Sequence, residues 1–561
     1  MSHPEQNSIS TKKILLLLCM FLSGYCGILS ELCLFNLGTV LLGGTNTTLL
    51  YTMGLMMFFM GIGSLLTETR LFSKIHFGHF AGIEILLSFL CMIAVPAIHI
   101  LSAYYPRFAL EFFFLFSPAI GLLIGMEIPI IMRLNQDMGL NLQENSARVM
   151  MADYFGSLMA FCLFPFLLFP RFGVAFSAYS GGLINLLLAF LTFVYFRKHF
   201  RHLKFWWGLF ILQCLFAFWL SQNINRFIHT GEQLLYRDPI VLERNTPYQK
   251  LVFTKKEPFR SESYTKRAKE AGKKIFESKG GRYELRKFDE SFEKDIRFFI
   301  NGGLQFSTVD EYRYHETLVH PAMHMVKDPG SALVLGGGDG LAVRELLKYK
   351  NLKEIVLVDL DRELTDLFQY SELARLNEHS LQNEKVRIFN GDAFQFLRKV
   401  KASFDVIIID FPDPYSLQTS KLYTRQFYEL VRFALAPGGV FCLQATSPLF
   451  NRKTFVSIGK TLESAGFEIL PMQVSMKTFE DWGFYLGRPG QATPSNDWKG
   501  STNLRSELLQ INPEVPTKYL DQDSLKRGLY FGKDIFFDRE KIMINDLNRL
   551  VLTEYYKGGL L

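Results

Sequence analysis

The chain has 561 residues, enough for two or more domains, and 49% of them are hydrophobic. Its net charge of +7 is too small to indicate a nucleic-acid-binding protein, so no nucleic-acid partner is expected. The seven Cys residues show neither a disulfide framework nor the spacing of a metal site. The apolar residues are concentrated in 14–222, whereas the remainder has the composition of a soluble enzyme.

Seven apolar stretches are long enough to cross a bilayer, at about 20 residues each. After an N-terminal tail of residues 1–13, they lie at 14–40, 48–67, 80–101, 109–132, 149–169, 174–196 and 205–221. The first is not a cleaved signal peptide, because it is too long and six more stretches follow it. We therefore predict a polytopic α-helical membrane domain at 14–222, in contact with membrane lipid.

Some residues inside these stretches bear on packing and function. Glycines at Gly61-Ile-Gly63 and at Gly121 and Gly125 would permit close helix packing. Charged groups are costly in a bilayer, so the acidic residues there have two possible explanations. Either they line a polar cavity that attracts a cation such as a polyamine, or they bond to neighbouring helices and interfaces. These residues are Glu31, Glu84, Glu111, Glu127 and Asp153.

A small β domain is predicted at 223–308, after the last apolar stretch. It contains short alternating strand patterns and an Asn301-Gly302 pair, which is a strong hairpin signal. Residues 255–294 are dense in Lys, Arg and Glu, so we interpret them as a solvated insertion in this domain.

Residues 331–361 have the pattern of a nucleotide-binding βαβ unit. A buried strand leads into a glycine turn, a helix follows, and a second strand ends in Asp359. Gly336 and Gly338 would let the backbone approach a ligand, and Asp359 can accept hydrogen bonds from ribose hydroxyls. Asp339 lies inside the turn, where it would repel a pyrophosphate. The ligand is therefore expected to carry a cation at this point.

Acidic residues recur where the following strands end. Because ligands of parallel sheets bind at the carboxyl ends of the strands, five carboxylates should converge there: Asp339, Asp359, Asp392, Asp410 and Asp413. Such a group needs cations, a metal or raised pKa values. No matching set of metal ligands is evident. A polycationic substrate is the simpler way to neutralise the negative charge of these carboxylates. We predict a Rossmann-like, methyltransferase-type α/β domain at 309–490.

A helix entry at 309–323 precedes the glycine turn and is rich in groups that bind ligands. It should bring these side chains together beside the nucleotide site: Asp310, Glu311, Tyr312, Tyr314, His315, Glu316 and His320.

Several motifs resemble the polyamine aminopropyltransferases, the spermidine synthase family. GGGDGLAVRELLKY, VDLD, GDAFQFL and DFPDP occur in the order and at the spacing of that family, as do TPYQK, NGGLQFSTVDEYRYHE and WGF. The match covers about 240–490. The apolar N-terminal half and the tail at 517–556, within an extension at 491–561, resemble the membrane-embedded branch of the family.

The resemblance implies a reaction and a role for each matched residue. Decarboxylated S-adenosylmethionine would donate an aminopropyl group to putrescine or a similar amine, giving spermidine and methylthioadenosine. No metal is required, because a sulfonium is a good leaving group, and we expect a homodimer. Gln249 and Asp359 would hold the nucleoside, Asp392 and Ala393 its adenine, and Asp410 would be the general base. The amine groups would be bound by Tyr314, His315, Asp339 and Asp413.

The chain departs from the family pattern in three places. Asp359 replaces the commoner Glu, Phe411-Pro412 replaces small polar residues, and Tyr415-Ser-Leu417 replaces a Gly-Pro run. The last two changes bear on acceptor choice and on one cofactor contact.

Two alternative functions stay open. One is an S-adenosylmethionine-dependent methyltransferase acting on a membrane or amine substrate. The other is a polyamine transporter or sensor whose soluble half only binds ligand.

The basic residues give a conflicting prediction of orientation. With seven spans, the positive-inside rule places in the cytoplasm the side that carries Lys12, Lys13, Arg70, Lys74, Arg133, Arg148, Arg197, Lys198, Arg201 and Lys204. The C-terminal half would then lie outside, where its cofactor is not made. We expect an integral, multi-pass cell-membrane protein with a cytoplasmic catalytic half, which requires another span count or a failure of the charge rule.

Overall fold

The structure is a computed structural model. It describes residues 3–41, 50–69, 77–137, 142–200, 202–256, 295–401, 403–478, 480–490, 500–510 and 515–559. The chain forms two compact units, which meet along the sequence at Pro239 and Ile240. Most of the charged insertion predicted at 255–294 lies outside the described residues.

Long helices make up the described part of the N-terminal unit. They are α1 (His3–Leu41), α2 (Leu55–Leu66), α3 (Phe77–Tyr104), α4 (Ala109–Asp137), α5 (Leu142–Leu163), α6 (Phe169–Phe196) and α7 (Leu203–Leu235). Among the described residues, five helical runs are long and apolar enough to cross a membrane: Ile14–Thr39, Phe77–Tyr104, Ala109–Gln136, Gln143–His199 and Leu203–Leu235. A shorter apolar helix runs over Thr52–Leu66.

The predicted count of seven spans depends on two of these segments. The predicted stretches 149–169 and 174–196 fall in the single run Gln143–His199, which has 57 residues. A straight helix of that length would measure about 85 Å, far more than the bilayer's apolar core of about 30 Å. Gly173 interrupts it with non-helical angles (φ 71°, ψ 179°). The stretch at 48–67 appears only as the short helix, so seven spans stays a prediction.

Helices α2 and α4 pack so closely that their backbones are in contact. A Cβ on Gly63 would collide with the Leu122 carbonyl, and one on Gly125 would collide with the Met60 carbonyl. Small residues allow this kind of close packing between apolar helices. Gly61, which the sequence placed in the same role, would meet nothing within 4 Å.

The C-terminal unit begins with a four-stranded antiparallel sheet. Its strands are β1 (Ile240–Asn245), β2 (Lys250–Lys255), β3 (Ile296–Ile300) and β4 (Gly303–Ser307), in that order. The predicted hairpin is confirmed, because β3 pairs with β4 across Asn301 and Gly302, which have φ of 50° and 84°. Positive φ at both central residues is the conformation that an Asn-Gly pair favours.

A seven-stranded sheet follows, with the order β10-β11-β9-β8-β5-β6-β7. Strands β5 to β9 pair in parallel, and β11 runs antiparallel to both β9 and β10. The strands are β5 (Ser331–Gly336), β6 (Glu354–Asp359), β7 (Val386–Asn390), β8 (Phe404–Asp410), β9 (Leu435–Gln444), β10 (Phe467–Met476) and β11 (Glu480–Pro489).

Short helices connect and extend this sheet. They are α8 (Glu311–His324), α9 (Leu341–Leu346), α10 (Arg362–Tyr370), α11 (Ala393–Leu397), α12 (Leu417–Ser420), α13 (Arg425–Ala434), α14 (Arg452–Ser464), α15 (Thr502–Leu508), α16 (Gln522–Gly528), α17 (Lys533–Phe536) and α18 (Leu552–Gly559). Helix α13 starts later than the Leu422 predicted from the sequence, because the Thr424 side chain caps it by accepting from the Phe427 amide.

The central strands of the sheet are buried on both faces, which explains their uninterrupted apolar sequences. On β5, Ala332 and Val334 join one hydrophobic cluster, whereas Leu333 and Leu335 join another. All four side chains are fully buried. The carboxyl edge of the sheet is therefore where polar side chains collect.

Candidate active site

Three carboxylates stand at neighbouring strand ends. Asp359 ends β6 and Asp410 ends β8, on either side of β5, and Asp339 lies in the turn after β5. Asp413 follows Asp410 by three residues, and Asp392 caps helix α11 just after β7. The structure thus places all five predicted carboxylates along the same edge of the sheet.

The glycine turn brings these strand ends close together. Gly336 has a φ of 81°, and a Cβ there would collide with the Asp410 carbonyl. A Cβ on Gly338 would lie 2.7 Å from Asp359 Oδ2, which accepts a hydrogen bond from the Gly338 amide at 3.1 Å. The sequence suggested that these glycines make room for a ligand. In the structure they make room for the neighbouring aspartates.

His315 supplies a positive charge beside two of the carboxylates. Its Nδ1 lies 2.8 Å from Glu311 Oε2, and Glu311 forms a two-point ion pair with Arg344 at 2.9 and 3.0 Å. Burial disfavours the charged ring, but Glu311, Asp339 and Asp410 outweigh it and raise the pKa of His315 to about 9. The imidazole is therefore protonated at neutral pH.

Asp410 and Asp339 share the influence of this cation. Burial raises the pKa of Asp410, while His315 and a hydrogen bond from Tyr314 oppose the rise. The Tyr314 hydroxyl donates to Asp410 Oδ1 at 2.6 Å. Burial also raises the pKa of Asp339 to about 6, with His315 lowering it and Asp410 raising it. The Leu341 amide donates to Asp339 Oδ1 at 3.0 Å.

Asp413 is held by neutral donors. Burial raises its pKa to about 6, and the nearby donors Tyr556, Thr446 and Gln444 lower it. Thr446 Oγ1 is 3.1 Å from Asp413 Oδ2, and Gln444 Nε2 is 3.3 Å from Oδ1. Thr446 has a φ of 62°, a strained conformation for a β-branched residue, and such strain is often found at functional sites.

The nucleoside side of the site has contacts that the sequence did not predict. Asp359 accepts from the Asp361 amide at 2.8 Å, and burial raises its pKa to about 7. The Gln249 side chain donates to Asp361 Oδ2 at 2.9 Å. Asp392 pairs with Lys421 at 2.8 Å, which lowers the pKa of Asp392 although burial opposes it. Ala393 is the first residue of α11.

The expected cluster on α8 is only partly assembled, so that prediction was wrong in part. Tyr314 and His315 reach the carboxylates, and Glu311 acts through His315. Glu316 instead accepts backbone hydrogen bonds from 518–520, and His320 pairs with Glu345 at 3.0 Å. Residues three and four apart share a helix face, so 311, 314 and 315 point one way and 316 and 320 another.

Around Asp413, three residues escaped prediction: Gln444, Thr446 and Tyr556. Gln444 could have been found, because it ends strand β9 at the same edge as the aspartates. Thr446 and Tyr556 carry no local signal, since each is brought to Asp413 by a tertiary contact.

Comparison with known proteins identifies the family. A spermine/spermidine synthase domain matches residues 311–494. A polyamine aminopropyltransferase of Oceanobacillus iheyensis is 34% identical over 519 residues, 91% of this chain and 90% of its own. The polyamine aminopropyltransferase 2 of Ralstonia nicotianae is 33% identical over 551 residues, 97% of each chain. The crystal structure of spermidine synthase from Thermotoga maritima covers 54% of this chain and 88% of its own, with 18% identity and a TM-score of 0.42, too low for a conclusion.

The two relatives align over at least 91% of the chain, so the similarity includes the apolar N-terminal half. The reaction class is aminopropyl transfer rather than methyl transfer, and the donor used by this family is decarboxylated S-adenosylmethionine. The chain belongs to the polyamine aminopropyltransferase family.

Proposed function

We propose that this aminopropyltransferase is a membrane protein that uses putrescine or a similar diamine as acceptor, giving spermidine and methylthioadenosine. The observation that carries the acceptor assignment is the line of carboxylates formed by Asp339, Asp410 and Asp413 at one sheet edge. Burial raises the pKa of all three carboxyls, so ionising them is costly unless a cation lies beside them. A donor with an ammonium group and a diamine acceptor would each supply such a cation.

The reaction needs a proton acceptor and correct alignment. The acceptor nitrogen attacks the aminopropyl carbon bonded to sulfur; the C–N bond forms, the C–S bond breaks, and its electron pair remains on sulfur. An amine resembling the Lys side chain, with a pKa of about 10.4, must first lose a proton. Asp410 is the proposed base, and its raised pKa makes it a better proton acceptor than an ordinary Asp.

Tyr314 is proposed to orient this base. Its hydroxyl occupies Asp410 Oδ1, and Oδ2 lies 3.2 Å from the point where a Cβ of Gly337 would stand. Oδ2 therefore faces the glycine turn, where the donor is expected to bind. In this assignment Tyr314 contacts the base, rather than binding an amine alone as the family resemblance implied.

The remaining charged groups would each bind one of the two substrates or balance the charge of the site. Asp339 would pair with the aminopropyl ammonium of the donor, and Asp413 would anchor the distal ammonium of the acceptor. His315 was expected to bind an amine, but an imidazolium donates hydrogen bonds and repels an ammonium. We assign His315 the role of balancing the negative charge of Asp339 and Asp410.

The nucleoside of the donor would lie along β6 and β7. Asp359 offers its carboxylate to the ribose hydroxyls, and the short Asp side chain leaves room for Gln249 to turn from Asp361 toward the same hydroxyls. Asp392 and Ala393 would meet the adenine, with Lys421 sharing the Asp392 carboxylate. The turn at Gly336 and Gly338, which packs against Asp410 and Asp359, would lie beside the donor.

The membrane setting is supported by the five long apolar helices of the N-terminal unit. A cytoplasmic catalytic half and a homodimer remain predictions.

A second candidate function, amine transport, is favoured by buried acids in the same helices. Glu84 on α3 faces Glu127 on α4, and both side chains are buried. Both oxygens of Glu84 and Oε1 of Glu127 lack a well-aligned hydrogen-bond partner among the described residues, and Ser23 donates to Glu127. Uncompensated buried carboxyls are costly, so a bound cation would stabilise them.

An uptake assay in liposomes distinguishes amine transport from polyamine synthesis. For a transporter, we expect protein with Asp410→Asn, reconstituted into sealed vesicles, to take up labelled putrescine, and the added change Glu84→Gln to reduce that uptake. Vesicles that take up no more label than empty ones would exclude the second function.

The change Asp410→Asn should lower kcat by about 10²- to 10⁴-fold, the usual contribution of a general base. Binding of the donor, measured by calorimetry, should stay within a few-fold of wild type. Asp366→Asn is the control, because this Asp is half exposed and pairs with Arg362 of the same helix. Equal losses of turnover and donor affinity would contradict the base assignment.

The change Asp339→Asn should weaken the preference for decarboxylated over intact S-adenosylmethionine by at least about tenfold, the worth of one charge-assisted hydrogen bond. Asn can still accept from the Leu341 amide, so the turn is preserved. The measurement is the ratio of the two dissociation constants. An unchanged ratio would show that Asp339 does not meet the aminopropyl ammonium.

Donor binding should release protons near pH 6.5. The pKa values of Asp339 and Asp359, about 6 and about 7 in the free protein, leave both partly protonated there, and a cationic ligand favours their charged forms. Calorimetry with the donor alone, in buffers of different ionisation enthalpy, measures the release. It should shrink at pH 8.5, where both groups are already ionised; proton uptake at pH 6.5 would contradict the charge assignment.

A further inference from the structure

We propose that Tyr556, on the C-terminal helix α18, determines which amine the enzyme accepts by closing the acceptor end of the site. This inference rests on the proposed function, in which Asp413 anchors the distal ammonium of a diamine. It adds a residue from outside the matched synthase domain, which ends at residue 494.

Helix α18 packs against α12, which begins four residues after Asp413, and the Tyr556 hydroxyl lies close enough to the Asp413 carboxylate to lower its pKa. This hydroxyl therefore stands where the ammonium of the acceptor would bind. Tyr415 lies beside both residues and near the Asn301 side chain of the β3–β4 turn. Two phenols and one carboxylate thus meet at this end of the sheet edge.

The tail that carries Tyr556 is firmly attached to the C-terminal unit. The Asn545 side chain is fully buried and donates to the carbonyls of Ser420 and Tyr423 at 2.9 and 3.1 Å. Leu552, in the first turn of α18, is also fully buried. The position of the helix, and with it that of Tyr556, is therefore fixed by the core rather than by the ligand.

Tyr423, to which the tail is hydrogen-bonded, also contacts residues that depart from the family pattern. The Tyr423 hydroxyl donates to the carbonyls of Phe411 and Pro412 at 3.2 and 3.1 Å. Phe411 and Pro412 separate the two aspartates of the site, and Tyr415 follows them. The departures and the tail therefore form one wall around Asp413.

The chemistry of a phenol suits this position. A hydroxyl donates one hydrogen bond and can accept others, so Tyr556 can donate to Asp413 while its oxygen accepts from the ammonium. The ring also occupies the space beyond that ammonium. A diamine of the right length ends at Asp413, whereas a longer polyamine must displace the ring of Tyr556.

The adjacent residue provides a matched control. The Tyr555 hydroxyl accepts a hydrogen bond from the Met543 amide at 3.3 Å, and its ring packs against a hydrophobic core cluster of the C-terminal unit. Tyr555→Phe thus removes a phenol from the same helix without touching the acceptor end. Only a role in amine binding predicts different effects for Tyr555 and Tyr556.

For Tyr556→Phe, we expect the KM for putrescine to rise about tenfold, the effect of losing one hydrogen bond to a charged group, with the KM for the donor and kcat within about threefold of wild type. For Tyr556→Ala, we expect the kcat/KM for spermidine relative to putrescine as acceptor to rise at least about tenfold. Tyr555→Phe should change neither quantity.

Suppose that the wild type transfers to amines but neither Tyr556 variant changes the KM for putrescine or the kcat/KM for spermidine relative to putrescine. That result would overturn this inference and leave the proposed function standing. A wild type that transfers to no amine would overturn the proposed function as well. Should Tyr556→Ala fail to fold, as judged by its melting temperature, the KM values of Tyr556→Phe still decide the question.

Discussion

The site depends on one electrostatic constraint, the crowding of buried carboxylates at the carboxyl edge of a parallel sheet. The glycine turn permits the crowding, since a Cβ at Gly336 or Gly338 would collide with the neighbouring strand ends. Burial raises the pKa of Asp339, Asp359, Asp410 and Asp413, and neighbouring carboxylates add to the rise at Asp339 and Asp359. The fold holds them with His315, a few hydroxyls and backbone amides, which leaves the edge short of positive charge. The cationic substrates that we propose would complete the balance.

The sheet and its acids could be predicted from the sequence for a physical reason. Strands buried on both faces appear as uninterrupted apolar runs, and parallel strands all end at one edge, so an acid after such a run must lie there. Local chain signals also predicted the Asn301-Gly302 hairpin. They could not predict the charge on His315, which depends on Glu311 and Arg344, or the pairing of Lys421 with Asp392. Tyr556 reaches Asp413 only because the core fixes the tail that carries it.

In the N-terminal unit, too, some features could be predicted from the sequence and others could not. Apolar length predicted the long helices, because composition alone sets that property. The number of membrane crossings in the proposed arrangement depends on breaks such as Gly173 and on whether the shorter helix over Thr52–Leu66 crosses, and apolar length decides neither. The conflict between the basic loops and a cytoplasmic catalytic half stems from that number. One crossing more or fewer would remove it.

The central claim is that fixed negative charge selects substrates with two positive ends. The most direct measurement compares putrescine with butylamine, a monoamine of the same carbon length, as acceptors for the purified full chain with decarboxylated S-adenosylmethionine, identifying products by mass. The account predicts rapid formation of spermidine and little or no transfer to butylamine, which has no second ammonium for Asp413. Equal kcat/KM values for the two acceptors would contradict it.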